Sequence, residues 1–190
     1  MNAEYKLSLT NKSIDDAELG VKDVLINTRN AMGFIPNMYA AMANSSILLD
    51  TYASGYKLFR EKSGFSSIEQ EVIFLTISRE NACTYCMAAH SFVADVMSKV
   101  PKNITDAIRN DKSIPDSKLS ELVNFTRTMV RARGLPKETD VKDFLGAGYS
   151  ELHVLDIIQA ISVKTISNYA NHLFHTELDD VFKKREWPEL

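Results

Sequence analysis

The sequence predicts an all-α protein, and three observations carry that reading. Apolar residues recur at three- and four-residue spacing through most of the chain. The 7 glycines and 5 prolines are sparse and fall where helices should stop. No segment alternates apolar and polar residues between turn signals as a half-buried strand does. With 190 residues and 45% apolar content, the chain is expected to form one domain, residues 1–190, of roughly eight helices. It contains no internal repeat and no low-complexity stretch.

Each element follows from local signals. Ser13 and the acids after it are expected to open the first helix, which sets Val21, Val24, Leu25 and Thr28 at helical spacing and stops at Gly33. Pro36 marks a turn before a short helix in "NMYAAMANSS". The next, "SSILLDTYASGYKLFRE", puts Ile47, Leu48, Tyr52, Tyr56 and Leu58 or Phe59 on its apolar side and ends at Gly64. "SSIEQEVIFLTISREN" has the branched residues of a strand, but its length and a capping box of Ser67 with Gln70 favour helix. Ile68, Val72, Leu75 and Ile77 form most of its predicted buried side. Asn81 is expected to cap the following helix, which runs to Pro101. "KNITDAIRND" and "DSKLSELVNFTRTMVRARG" come next, the second stopping at Gly134-Leu135-Pro136, and "KETDVKDFLGAG" is a short helix closed by glycines. The last block, "SELHVLDIIQAISVKTISNYANHLFHTELDDVF", is apolar on most sides in its middle, as expected of a helix covered by its neighbours or by another subunit.

Charge excludes several functions. The net charge is −3, the pI is near 5.8, and the lysines and arginines are scattered; the densest run, Lys183-Lys184-Arg185, reads as a solvated helix end. No nucleic-acid partner is expected. No run approaches the ~18–20 apolar residues of a spanning helix. The start, "MNAEYKLSLTNKSIDDAE", lacks the pattern of a secretory leader. The expectation is a soluble, cytoplasmic protein with no membrane partner.

The chemistry concentrates in "ENACTYCMAAH" at residues 80–90. Cys83 and Cys86 are the chain's two cysteines, too few for a secreted disulfide framework. Residues three and four apart share a helix face, so Cys83, Cys86 and His90 line up. A helix N-terminus stabilises a thiolate, and a histidine one turn on can take its proton. If the helices on either side of Asn81 form an antiparallel hairpin, Glu71 lies at about the height of His90 at ~1.5 Å per residue. Glu71 is also the lone carboxylate in its apolar run that can point inward, where it would orient the histidine and complete a proton relay. Two other readings remain open. The cysteines can be small core residues. A zinc site could use Cys83, Cys86, His90 and Glu71, although no second Cys or His pair closes the set. His172 and His175 lack a carboxylate at the matching turn and read as a surface face, or as a polar patch at a subunit contact or beside the active-site mouth; His153 should be exposed, and the methionines and aromatics read as packing.

The spacing of Glu71, Cys83, Cys86 and His90, with Asn81 before Ala-Cys, Tyr85 between the cysteines and Ala89 before the histidine, resembles the signature of the AhpD-like/carboxymuconolactone decarboxylase superfamily, in its peroxidase-related branch. "MGFIPNMYAAMANSSILLDTY" and "AISVKTISNYANHLFHTELDDVF" are similar to its flanking segments, so the resemblance covers about residues 20–182. It implies an AhpD-like helical fold, assembly as a homo-oligomer (trimer or hexamer), and thiol-dependent peroxidase or disulfide-reductase chemistry. By position, Cys86 would attack the hydroperoxide, Cys83 would be the more exposed resolving partner, and His90 with Glu71 would relay protons. No cofactor is implied beyond an external thiol or dithiol reductant, lipoyl or thioredoxin-like. Tyr85 departs from the alkylhydroperoxidases that place a histidine there, and is a candidate substrate or relay contact. The decarboxylases of this fold generally lack the cysteine pair. A non-catalytic, redox-responsive oligomer is the alternative reading.

Overall fold

Capping chemistry sets several of the helix ends. The structure, a computed structural model, describes residues 2–188. Among these are nine α-helices and no strands: α1 Leu19–Met32, α2 Asn37–Met42, α3 Ser46–Lys62, α4 Ser67–Glu80, α5 Thr84–Val93, α6 Lys102–Arg109, α7 Ser117–Arg131, α8 Glu138–Gly146 and α9 Glu151–Phe174. A π-helical turn, Ala94–Ser98, prolongs α5, and a 3₁₀ turn, Asp180–Arg185, follows α9. The all-α expectation holds.

Ser45 and Asp116 accept the backbone N–H of Leu48 and Leu119 and so start α3 and α7. Gly33, at φ +83°, stops α1 in the left-handed conformation that glycine adopts without steric penalty. The box that opens α4 is Ser66 with Glu69, not Ser67 with Gln70: Ser66 Oγ accepts from Glu69 N at 3.3 Å, and Glu69 Oε2 accepts from Ser66 N at 2.9 Å. "SSIEQE" fits the motif in two registers, and this one frees Gln70 to point inward. Ser13 caps a turn, accepting from Asp16 N at 3.3 Å, while α1 begins later, at Leu19.

α4 is the central element. Every residue from Gln70 to Ser78 is buried, and the helix packs against α5, α6, α7 and α9. One side of it faces an aromatic core in which Phe125, Phe144 and Tyr149 stack at 4.3 and 4.5 Å between ring centroids. A second apolar cluster joins α1, α2, α3, α5 and α9 around Leu25, Met42, Leu49, Tyr52 and Val163, and both cysteines belong to it.

The buried side of α3 is rotated from the predicted one. Leu49, Tyr52, Gly55 and Phe59 face inward, whereas Ile47 and Leu58 are exposed. Gly55 decides this, because α9 crosses so close that an added Cβ would lie 2.9 Å from Val163 Cγ2. On α9 the middle is buried on one face only. Leu152, Leu155, Ile158 and Tyr169 stay exposed on the other.

The C-terminal segment folds back over α5. Arg109 donates to the carbonyls of Arg185 and Glu186, and Arg185 pairs with Asp95 and Asp106. Trp187 Nε1 donates to Arg109 O at 3.1 Å. Among the described residues, no helix is long and apolar enough to cross a membrane.

Candidate active site

The tight connection between α4 and α5 positions the cysteines. Asn81 ends α4 rather than capping α5, and its side chain donates to Asn168 Oδ1 on α9 at 2.9 Å. Ala82 turns the chain at φ +54°. Cys83 is itself the N-cap: its sulfur accepts from Cys86 N at 3.5 Å. Cys86 therefore sits two residues nearer the helix start than an Asn81 cap would place it.

Both sulfurs are buried. Cys83 is 1% exposed and Cys86 2%, so Cys83 is not the more exposed partner. They share a donor: Asn171 Nδ2 lies 3.2 Å from Cys86 Sγ and 3.8 Å from Cys83 Sγ. The Cys86 thiol also reaches Ser167 Oγ at 3.9 Å.

The hairpin brings Glu71 and His90 together. His90 Nδ1 lies 2.9 Å from Glu71 Oε2, and both side chains are buried. The second Glu71 oxygen accepts from Arg60 Nη2, a partner from α3 that sequence reasoning missed. Arg60 is fixed in turn by Gln70 Oε1 at 3.1 Å and Tyr56 Oη at 2.7 Å, and lies over the Tyr56 and Phe74 rings. Burial alone would push the Glu71 carboxyl up; His90 and Arg60 more than reverse this and hold it below the usual 4.5. Glu71 thus stays a carboxylate that orients His90. It leaves Nε2 of the ring as the proton acceptor.

The electrostatics separate the two thiols. Burial opposes a Cys86 thiolate, but the hydrogen bond from Cys83, then the charge of Lys164, hold Cys86 well below the ordinary 9.0. Burial and the neighbouring Cys86 push Cys83 well above it. Burial and Lys164 lower His90 from 6.5 despite Glu71, so the imidazole is neutral at pH 7. Lys164 was not among the predicted residues. It is the lone charge in "IIQAISVKTISNYA", the same signal that singled out Glu71. Asn171 lies two turns further along the same face of α9.

Tyr85 does not join the His90–Glu71 pair. Its hydroxyl donates to Asp179 Oδ2 at 2.5 Å, and that carboxylate also accepts from Asn37 N. Burial, with the Asp179 charge, raises the Tyr85 phenol. The Tyr85 ring and His90 line a cavity of about 80 Å³ walled by Met38, Tyr39, Tyr52 and Phe182.

No metal-holding group of three His, Cys, Asp or Glu converges among the described residues, and both Glu71 oxygens are engaged. His172 and His175 diverge. His175 ends α9 and binds Ala3 O at 2.7 Å, whereas His172 turns inward, its Nε2 buried without a hydrogen-bond partner. His153 is half-buried: its Nδ1 accepts from Ser150 N at the start of α9, and its Nε2 lies 3.3 Å from Gly64 O.

Several solved structures match over nearly the whole chain. An uncharacterized peroxidase-related protein from Ralstonia eutropha, described as an alkylhydroperoxidase AhpD core, has a TM-score of 0.82 at 18% identity, covering 99% of this chain and 100% of its own. A peroxidase-related protein from a Silicibacter species has a TM-score of 0.79 at 20% identity, with 95% of each chain covered. A cysteine-to-alanine variant of the debrominase Bmp8, in complex with 2,3,4-tribromopyrrole, has a TM-score of 0.78 at 15% identity, covering 95% of this chain and 96% of its own. No protein-family model matches the chain, and no curated protein matches it. The chain has the AhpD-like fold.

Proposed function

We propose that the protein is a thiol-dependent hydroperoxide reductase that cycles through a Cys83–Cys86 disulfide. The observation that supports this most is the pairing of a buried, carboxylate-oriented histidine with two sulfurs that share one donor, the Asn171 amide.

In this reading His90 Nε2 takes the Cys86 proton. The thiolate attacks the terminal oxygen of ROOH, an S–O bond forms as the O–O bond breaks, and RO⁻ leaves. His90 returns the proton to give ROH, and Cys86 is left as sulfenic acid. Glu71, fixed by Arg60, holds the ring but does not change its own charge. Cys83 then attacks the Cys86 sulfur, forming the disulfide and releasing water. An external dithiol reopens it by exchange, being oxidised to its own disulfide.

Burial restricts the partners. The cavity beside His90, walled by Tyr39, Tyr52 and Tyr85, has room for a small hydroperoxide. A folded protein disulfide does not fit it, which weighs against a protein disulfide reductase. A slender dithiol is the reductant this site favours.

A second reading has the tyrosine lining and the fold shared with a debrominase in its favour. A Cys86 thiolate can instead take a halogen from an aryl halide, the ring carbanion receiving the His90 proton. Cys83 then displaces halide to form the same disulfide.

The test is a dithiol-coupled turnover assay on wild type, Cys83→Ser, Cys86→Ser and Glu71→Gln, with ROH and halide release measured separately. Turnover of hydroperoxide in the wild type, abolished in Cys86→Ser, supports the first reading. Equal rates in all four proteins would sink the site assignment. Oxidation without recycling, with a change in oligomer size, would favour a redox-responsive oligomer instead.

A further inference from the structure

Lys164 is an anomaly in the core. Its side chain is 0% exposed, and its ammonium has no nitrogen or oxygen acceptor. No carboxylate pairs with it; the buried Glu71 is already engaged by Arg60 and His90. Its ammonium lies 5.6 Å from the centroid of the Phe74 ring, and Ser167, which donates to the Lys164 carbonyl at 3.2 Å, meets the Cys86 sulfur at 3.9 Å. Lys164, Ser167, Asn168 and Asn171 form one fully or nearly buried polar stripe on α9, at spacings of three and four, laid against α4 and α5. An unpaired buried ammonium strongly destabilises a fold, so an anion is needed beside it.

We propose that Lys164 is the fixed cation that holds the Cys86 sulfur as a thiolate, its charge brought to the sulfur from α9. This rests on Cys86, not Cys83, being the attacking sulfur.

The surrounding titratable groups leave this role to Lys164. On α3, Tyr52 is pushed well above its ordinary value by burial, and on α5 Tyr85 is raised too, so both stay neutral. His90 and His172 are each lowered by burial and are neutral at pH 7. Asp179, its own carboxyl raised by burial, holds the Tyr85 hydroxyl. Glu71, behind His90, is matched by Arg60. Asn171 and the α5 N-terminus add neutral donors.

The experiment uses the Cys83→Ser protein, in which Cys86 is the single thiol, and follows thiolate absorbance at 240 nm and iodoacetamide alkylation against pH. Lys164→Met should move the midpoint up by about one unit or more and slow alkylation at pH 7 by about tenfold. Lys164→Arg should restore most of the shift. An unchanged midpoint in Lys164→Met overturns the proposal. A low midpoint in Cys86→Ser with a high one in Cys83→Ser overturns it too, by moving the thiolate to Cys83. If Lys164→Met fails to fold, Lys164→Gln carries the same comparison. None of these readouts needs peroxide turnover, so a shifted midpoint without peroxidase activity supports Lys164 while removing the proposed reaction.

Discussion

Glu71→Gln tests the fold and the site at once. The substitution keeps the size of the side chain and one acceptor oxygen but removes the charge that Arg60 and His90 share. Breaking a buried ion pair by removing one partner costs about 3–5 kcal/mol. The Glu71 side chain is 0% exposed, but Arg60 is 18% exposed and keeps Tyr56 and Gln70 as partners, which puts the expected loss at the low end. At about 2–4 °C per kcal/mol for a chain of this size, a loss of about 3 kcal/mol lowers Tm by roughly 6–12 °C. Trp187, the single tryptophan and 5% exposed, reports unfolding by its emission, with far-UV circular dichroism alongside. The pH dependence has a definite sign. Glu71 has a folded value depressed below 4.5, so its stabilisation is present above the unfolded value and is lost as pH falls through the folded one. The gap between wild type and Glu71→Gln should therefore be wide at pH 7 and shrink once pH drops well below 4.5. No gap at pH 7, or a gap that persists undiminished at about pH 3, would refute the argument that a charged Glu71 holds these helices together.

Other outcomes follow from single contacts. His90→Gln should cut turnover about 100-fold or more, the usual worth of a positioned general acid–base, while leaving sulfenate formation in the single turnover detectable. A normal rate would remove His90 from proton transfer. Tyr85→Phe breaks the 2.5 Å bond to Asp179 and should speed amide exchange across residues 176–187, at a stability loss of about 1–3 kcal/mol; unchanged exchange there means the bond does not hold the C-terminal segment. Gly55→Ala forces a methyl to within 2.9 Å of Val163 and should destabilise by about 1–3 kcal/mol through the α3–α9 contact; a neutral effect in urea unfolding would show that α9 yields easily.

Helix content was legible because it is local. Spacing, caps and sparse breakers act within a turn or two, and α4 was found as a helix despite its branched residues. Where two registers satisfied the same local rule, as at Ser66 and Ser67, only packing chose between them. The face of α3 was misread for a similar reason: Ile47 and Leu58 are apolar, but the crossing of α9 at Gly55 decided which side went inward.

The sequence by itself determined the helical class, the shared face of Cys86 and His90, and Glu71 as the inward carboxylate. Each of these is a matter of short-range periodicity or of a lone charge in an apolar run. The tertiary structure alone decided that Arg60 pins Glu71, that Tyr85 binds Asp179, that Cys83 is as buried as Cys86, and that Asn171 reaches the sulfurs across 85 to 88 residues of chain. The physical reason is that a side chain's charge acts through space on whatever group packing brings beside it, and only the folded chain sets that neighbour.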